Sequence, residues 1–229
     1  MDLNNLLKKF NKKLNRTKNL INENPLVTFL QPTSKISEEF RTIRTNIKFS
    51  EFDPDKKTIL VTSPNGGEGK SVTVANLGVS MAQQGQRVLI VDANLRQPSL
   101  HCIFKMDNSL GLSSILTGKS VLEGTVSQTD ISKLDILTSG PIPSNPAELL
   151  GSHSMRKLMN KVIENYDVIL FDSPPVLQFA DTTVIANQCE GVILVLEYGQ
   201  TENDEAVEAK RILEFANAKV VGAVINKAS

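Results

Sequence analysis

The sequence has 229 residues and a mass of 25.1 kDa, with 25 basic and 25 acidic side chains and a formal net charge of zero. With 40% hydrophobic residues, 5% aromatic and no Trp, it predicts one main globular domain. It also excludes both a wholesale basic nucleic-acid binder and an aromatic platform for single strands. Cys102 and Cys189 lie far apart without C-x-x-C spacing and read as reduced packing residues, and no apolar run reaches the ~18 residues of a membrane span, so a soluble, cytoplasmic chain is expected.

Charge is uneven along the chain. Residues 1–20 carry Lys8, Lys9, Lys12, Lys13, Arg16 and Lys18 against Asp2 alone. Leu3, Leu6, Leu7, Phe10 and Leu14 fall on one face at helical spacing, so this segment reads as a basic amphipathic helix, suited to an anionic membrane surface or a partner, or packed on its own domain. Asn22 to Pro32 holds Pro25 and Pro32 without a clear period and reads as a linker, giving an N-terminal segment over 1–33 and a main domain over 34–229. A helix capped by Ser34 or Ser37 is predicted through Phe49, with Glu38 and Glu39 in its first turn where the macrodipole favours anions.

Beyond it, short Val- and Ile-rich runs at Thr58–Thr62, Val88–Val91, Leu134–Leu137, Val168–Phe171, Val192–Leu196 and Val220–Ile225 predict buried parallel strands. They alternate with helices near Ser71–Gln84, Ala147–Asn165, Asp181–Gln188 and Glu202–Ala216. Such alternation means an α/β fold: a mainly parallel sheet with helices on both faces and ligands beyond the carboxyl ends of its strands.

The first strand runs into Ser63-Pro64-Asn65-Gly66-Gly67-Glu68-Gly69-Lys70-Ser71 and then the apolar helix Val72-Thr73-Val74-Ala75-Asn76-Leu77. Strand, glycine loop and helix make a P-loop, with Pro64 where the usual pattern has glycine. Its amides and helix dipole suit phosphates, Lys70 suits the β- and γ-phosphates, and the Ser71 hydroxyl suits magnesium. Asp172, directly after the Val168–Phe171 run, fits a Walker B carboxylate. Asp92, directly after Val88–Val91, fits a magnesium contact or a general base; either Asp also fits a plain helix cap.

These motifs, with Asp92-x-Asn94-x-Arg96, Asp172-Ser-Pro-Pro, Glu38-x-x-Arg41-x-x-Arg44 and Ser139-Gly-Pro-Ile-Pro-Ser-Asn-Pro-Ala-Glu-Leu-Leu150, resemble bacterial tyrosine kinases of the CpsD/CapB type, cytoplasmic autokinases of capsule and exopolysaccharide assembly. The resemblance runs from about Ser34 to the end. It implies a P-loop NTPase fold of the MinD/ParA-like deviant Walker type and ATP- and magnesium-dependent transfer to protein tyrosines. The implied ATP-binding run is Gly66, Gly67, Glu68, Gly69, Lys70, Ser71 and Val72, and Asn226 is implied to read the adenine edge. Ser71, Asp92 and Asp172 are implied at magnesium, with Lys70, Asp92, Asp172 and Asn94 in catalysis.

In the family a second acid stands where this chain has Asn94, whose amide can ligate but brings no charge. Arg96 is implied to hold a phosphate or a neighbouring subunit. The Glu38, Arg41 and Arg44 face is implied to line contacts in a homo-oligomeric ring, against the plainer reading of a solvent-facing salt-bridge ladder. The resemblance further implies a transmembrane adaptor's cytoplasmic segment as activator and recruitment to the inner face of the membrane, while the charge balance and low aromatic content leave no nucleic acid expected as partner. The family's tail carries a tyrosine cluster, whereas this sequence has two tyrosines, Tyr166, expected packed, and Tyr198, expected accessible. Two other readings stay open: a MinD/ParA-like membrane-associated ATPase, distinguished by a P-loop lysine absent from Ser63-Pro64-Asn65, and a nucleotide-dependent regulatory module with weak kinase activity.

Overall fold

A computed structural model describes residues 25–49 and 57–227; the basic amphipathic helix expected over 1–20 lies outside them. In chain order come α1 (Val27–Leu30), α2 (Lys35–Phe49), β1 (Thr58–Thr62), α3 (Lys70–Gln83), β2 (Val88–Asp92), α4 (Leu100–Phe104) and α5 (Leu112–Leu116). They are followed by a 3-10 turn, β3 (Ser127–Gln128), β4 (Leu134–Leu137), α6 (Pro146–Leu150), α7 (His153–Asn165), β5 (Val168–Asp172), α8 (Asp181–Ala186), β6 (Gly191–Glu197), α9 (Asn203–Phe215) and β7 (Val220–Asn226). The strands form one sheet in the order β3-β4-β2-β5-β1-β6-β7, parallel throughout except for β3, which runs antiparallel to β4.

The alternation of side chains along each strand builds two cores. Leu60, Leu89, Val91, Ile169, Phe171, Val192 and Leu194 point to one face, where Leu112 of α5, Leu150 of α6, Met155 and Leu158 of α7, Ile185 of α8 and Leu213 of α9 close over them. Ile59, Val61, Val88, Ile90, Val168, Leu170, Ile193 and Val195 point to the other, covered by Val74, Leu77 and Met81 of α3 and Leu100 of α4, with Ile43 and Ile47 of α2 packed alongside. Strands buried on both faces have no polar side to display, which is why they read as continuous apolar runs. Fully buried side chains such as Phe171, Leu60 and Leu77 each stabilise the fold by roughly 1.5–3 kcal/mol.

One expected buried strand, Val220–Ile225, is the edge strand β7 and none of its residues is fully buried; three further departures from the sequence reading have local causes. The described part of the expected linker is packed, not free. Leu26 and Val27 are buried, the Thr28 N–H donates to Asn76 Oδ1 at 2.9 Å, and Asn76 Nδ2 donates back to the Pro25 carbonyl at 2.8 Å. The single helix expected over Ala147–Asn165 is two. Pro146 occupies the first turn of α6, Gly151 ends it, and Ser152 caps α7 by accepting from the Met155 N–H at 3.2 Å. β3 went unseen because its two exposed residues carry no apolar pattern.

The segment after β4 is fixed by close glycine contact. The Leu112 N–H donates to the Thr138 carbonyl and the Ser113 N–H to the Ser139 carbonyl, both at 2.8 Å. A Cβ on Gly111 would lie 2.1 Å from the Gly140 nitrogen. This locks the Pro141–Asn145 stretch against α5.

Candidate active site

Three neighbouring strands deliver the chemistry to one rim. β1 is flanked by β5 and β6, β5 by β2, and the last residues of β2 and β5, Asp92 and Asp172, are register partners. The P-loop leaves the same end of β1. Sequence separation between Lys70, Asp92 and Asp172 is thus removed by parallel pairing, and all three are buried.

The loop curls through Gly67 and Gly69, both in the left-handed region at φ 85 and 87, which side chains rarely adopt. Gly69 precedes α3 and offers no side-chain cap, so the first-turn amides of a 14-residue helix are left for an anion, with the dipole behind them. Pro64, the departure from the motif, costs no observed bond: its carbonyl accepts from the Leu177 N–H at 3.3 Å, and the Ser63 carbonyl accepts from the Val176 N–H at 2.9 Å. Both contacts tie the P-loop to the segment that follows Asp172.

The Glu68 side chain is committed within the fold. Both of its carboxylate oxygens are engaged: Oε2 accepts from the Asn65 N–H at 2.9 Å and Oε1 from the Thr201 hydroxyl. Thr201 in turn accepts from the Glu197 N–H at 2.8 Å. Asn226 Nδ2 donates to the Glu68 carbonyl at 2.9 Å and sits so close that a Cβ on Gly69 would lie 2.1 Å from it. Glu68 therefore joins any phosphate site through its backbone, and Asn226 lies against the P-loop, where its amide braces the chain. Val72 likewise offers only backbone, its side chain packing on the second core.

The two carboxylates differ. Asp92 is held by three backbone donors, Asn94 N–H at 3.3 Å on Oδ1 and Ser99 and Leu100 N–H at 3.1 and 3.0 Å on Oδ2, so it does cap the turn into α4. Neither oxygen of Asp172 makes a hydrogen bond of good geometry, although both are buried and the Ser71 hydroxyl and Lys70 lie nearby. Burial raises the proton affinity of both groups. For Asp92 the charge of Asp172 adds to the rise and the three amides oppose it; for Asp172 the Ser71 hydroxyl and then the Lys70 charge hold the rise back. An orphaned buried carboxylate beside a P-loop serine is the donor set a hydrated magnesium ion takes up, and the uncapped α3 amides suit the phosphates. Among the described residues no group of three His, Cys, Asp or Glu side chains is gathered for a metal.

Other expected site residues are committed within the fold. Asn94 Oδ1 accepts from the Gln97 N–H at 3.2 Å. Arg96, expected at a phosphate or a subunit contact, forms a two-pronged ion pair with the buried Asp181 at 2.7 and 3.0 Å and lies 4.7 Å over the Phe179 ring. Its planar fork matches a carboxylate better than a lone oxygen. The Glu38 and Arg41 side chains pair with each other, Arg41 also reaches the Pro32 carbonyl at 2.7 Å, and Arg44 donates to the Ser80 carbonyl at 2.5 Å. Arg44 thereby clamps α2 to α3 within one chain, while Glu38 remains largely exposed. Thr201, Asp181 and Phe179 were not singled out by the sequence, since their partners lie far away along the chain.

Comparison with known proteins matches the AAA_31 family model, described as an AAA domain, over residues 56–207. The chain is 45% identical over 201 residues to tyrosine-protein kinase YwqD of Bacillus subtilis, covering 88% of this chain and 85% of that one. It is 38% identical over 203 residues to the putative tyrosine-protein kinase CapB of Staphylococcus aureus, covering 89% of each. The crystal structure of the chimerical protein CapA2B2 superposes with a TM-score of 0.85 at 39% identity over 88% of each chain. The cell-division ATPase MinD of Pyrococcus furiosus shares the fold, with a TM-score of 0.66 at 23% identity over 76% of this chain and 73% of that one.

Proposed function

The chain belongs to the bacterial tyrosine-protein kinases, and from that premise we propose that it transfers the γ-phosphoryl group of ATP to protein tyrosines in a magnesium-dependent reaction that regulates capsule or exopolysaccharide synthesis. The observation that carries this reading is the meeting of an uncapped P-loop helix, Asp92 and an orphaned Asp172 at the ends of three adjacent strands.

The P-loop amides and Lys70 bind the β- and γ-phosphates and orient the γ-phosphorus toward the rim. Ser71 and Asp172 would hold a magnesium ion, which when bound would supply charge neutralisation at the phosphates. Asp92 accepts the tyrosyl proton, and its raised proton affinity suits the task. Its three amide contacts fix the carboxylate's direction while leaving lone pairs on Oδ1, which accepts a single long bond. Asn94 holds the turn behind Asp92 without adding a charge. Asn226, beside the P-loop, is placed in this reading at the adenine edge.

The partner proposed as activator is the cytoplasmic segment of a transmembrane adaptor, which brings the chain to the inner face of the membrane; no helix among the described residues is long and apolar enough to cross it. The basic segment within residues 1–33 is proposed to assist that docking. Glu38 and Arg41 are proposed to meet a neighbouring subunit in a homo-oligomeric ring, supported by the exposure of Glu38. The test is incubation with ATP, magnesium and a candidate adaptor peptide, followed by mass spectrometry for phosphotyrosine. Product is expected with the wild-type chain and none with Lys70→Met. Nucleotide hydrolysis without phosphotyrosine on any protein would favour the MinD-like reading instead.

A further inference from the structure

The two tyrosines of this sequence are treated oppositely by the fold. Tyr166 is half-buried where α7 leads into β5, and its hydroxyl donates to Asp135 Oδ2 at 2.8 Å. Tyr198 is 65% exposed and is the first residue past β6, on the same rim of the sheet as the P-loop. Its backbone is fixed. The Tyr198 N–H donates to the Asn226 carbonyl at 2.9 Å, and the Gln200 and Thr201 N–H groups donate to the Glu197 carbonyl at 3.2 and 3.0 Å. Gly199, at φ 73, closes the turn. An accessible phenol is therefore presented from an ordered turn, flanked in sequence by Glu197, Glu202, Asp204 and Glu205, with Lys227 Nζ paired to Glu197 at 2.8 Å.

We propose that Tyr198 is a phosphoacceptor for this chain's own kinase activity, modified in the active site of a second copy; the inference rests on the kinase reading above. The need for a second copy follows from the sheet. β2, which ends in Asp92, and β6, which leads into Tyr198, are separated by β5 and β1, three strand spacings or ~14 Å. A tyrosine pinned at its backbone is too short to bring its hydroxyl to Asp92 of the same chain.

In the transfer the Tyr198 oxygen bonds to the γ-phosphorus of ATP, the bond from that phosphorus to the β,γ-bridging oxygen breaks, and ADP leaves. The phenolic proton passes to the Asp92 carboxylate of the second copy. The added phosphate, carrying close to two negative charges, enters the turn whose Thr201 holds Glu68 of the P-loop. Modification and P-loop bracing thus share one turn.

The test is digestion and phosphopeptide mass spectrometry of the full chain after incubation with ATP and magnesium, alongside transfer to a Glu-Tyr copolymer. Phosphate is expected on the Tyr198 peptide at a rate per chain that rises with protein concentration. Tyr198→Phe is expected to lose self-labelling while keeping transfer to the copolymer. Mixing active Tyr198→Phe with an inactive Lys70→Met chain, or with Asp92→Asn as a second inactive acceptor, is expected to label Tyr198 of the inactive chain. Labelled copolymer with unmodified Tyr198 overturns this inference and leaves the kinase reading standing, whereas no label on either overturns both. Labelling of Tyr198 that is independent of concentration and absent from the mixtures overturns the second-copy step.

Discussion

Thr201→Val removes one hydroxyl and keeps the side-chain volume, so its effect isolates the contact between the β6–α9 turn and the P-loop. In the wild-type chain that hydroxyl donates to Glu68 Oε1 and accepts from the Glu197 N–H at 2.8 Å. A hydrogen bond to a charged acceptor contributes about 1.5–3 kcal/mol and a neutral one about 0.5–1.5 kcal/mol. Glu68 is buried, so little water reaches its freed oxygen, while the Glu197 N–H lies nearer solvent and recovers part of its loss. The expected destabilisation is about 2–3 kcal/mol, read by urea denaturation of the nucleotide-free protein at neutral pH. The same variant is expected to weaken MgATP binding, because Glu68 also accepts from the Asn65 N–H inside the loop. Glu68→Gln retains an acceptor for Asn65 and removes the charge, so the two changes together should cost less than their sum. A loss under about 0.5 kcal/mol, the level of an ordinary surface substitution, with unchanged nucleotide affinity would refute the brace.

Asp172→Asn is expected to stabilise the nucleotide-free fold while abolishing phosphotransfer, because it removes a buried charge whose oxygens make no hydrogen bond of good geometry; thermal melts and a transfer assay read the two effects. The same carboxylate sets a pH dependence. Its proton affinity is higher folded than unfolded, so the folded state takes up the proton first. Its penalty is absent below the unfolded carboxylate range and grows as pH rises through the raised folded value. Wild type minus Asp172→Asn should therefore show the wild type losing relative stability as pH rises from the ordinary carboxylate range toward neutrality; a flat difference contradicts the assignment. Gly111→Ala places a methyl 2.1 Å from the Gly140 nitrogen and 2.3 Å from the Thr138 carbonyl oxygen, backbone that cannot rotate away. A loss of about 2–4 kcal/mol in chemical denaturation is expected.

Much of this fold was legible in the sequence because buried parallel strands and P-loop helices impose one-dimensional patterns. Val168-Ile-Leu-Phe171 followed by Asp172 has room for little else than a strand ending at a rim. The pattern failed where local chemistry cut across periodicity, as at Gly151-Ser152, where an apolar period continues past a C-terminal glycine and an N-cap serine. It failed again at residues 25–32, where two prolines suggested a tether but Asn76 supplies both a donor and an acceptor to hold the chain down.

At the site, the P-loop and the two rim aspartates were readable because glycine spacing and strand-end acids are local signals. The residues that position them were not. Thr201 meets Glu68 across 133 positions and Asp181 meets Arg96 across 85, and neither threonine nor aspartate in a loop announces such a partner. Arg96 shows this most plainly: the resemblance implied a phosphate or a neighbouring subunit, and within the chain the tertiary fold pairs it with a carboxylate and an aromatic face.

In the proposed reaction this rim transfers phosphoryl groups to tyrosine with Asp92 receiving the proton. Its most direct test is the initial rate of phosphotyrosine formation on a Glu-Tyr copolymer by wild type and Asp92→Asn at saturating MgATP, with nucleotide affinity measured in parallel. A rate loss of about 100-fold or more, the range of general-base contributions, is expected at nearly unchanged MgATP affinity. An Asp92→Asn chain that forms phosphotyrosine at the wild-type rate would contradict it.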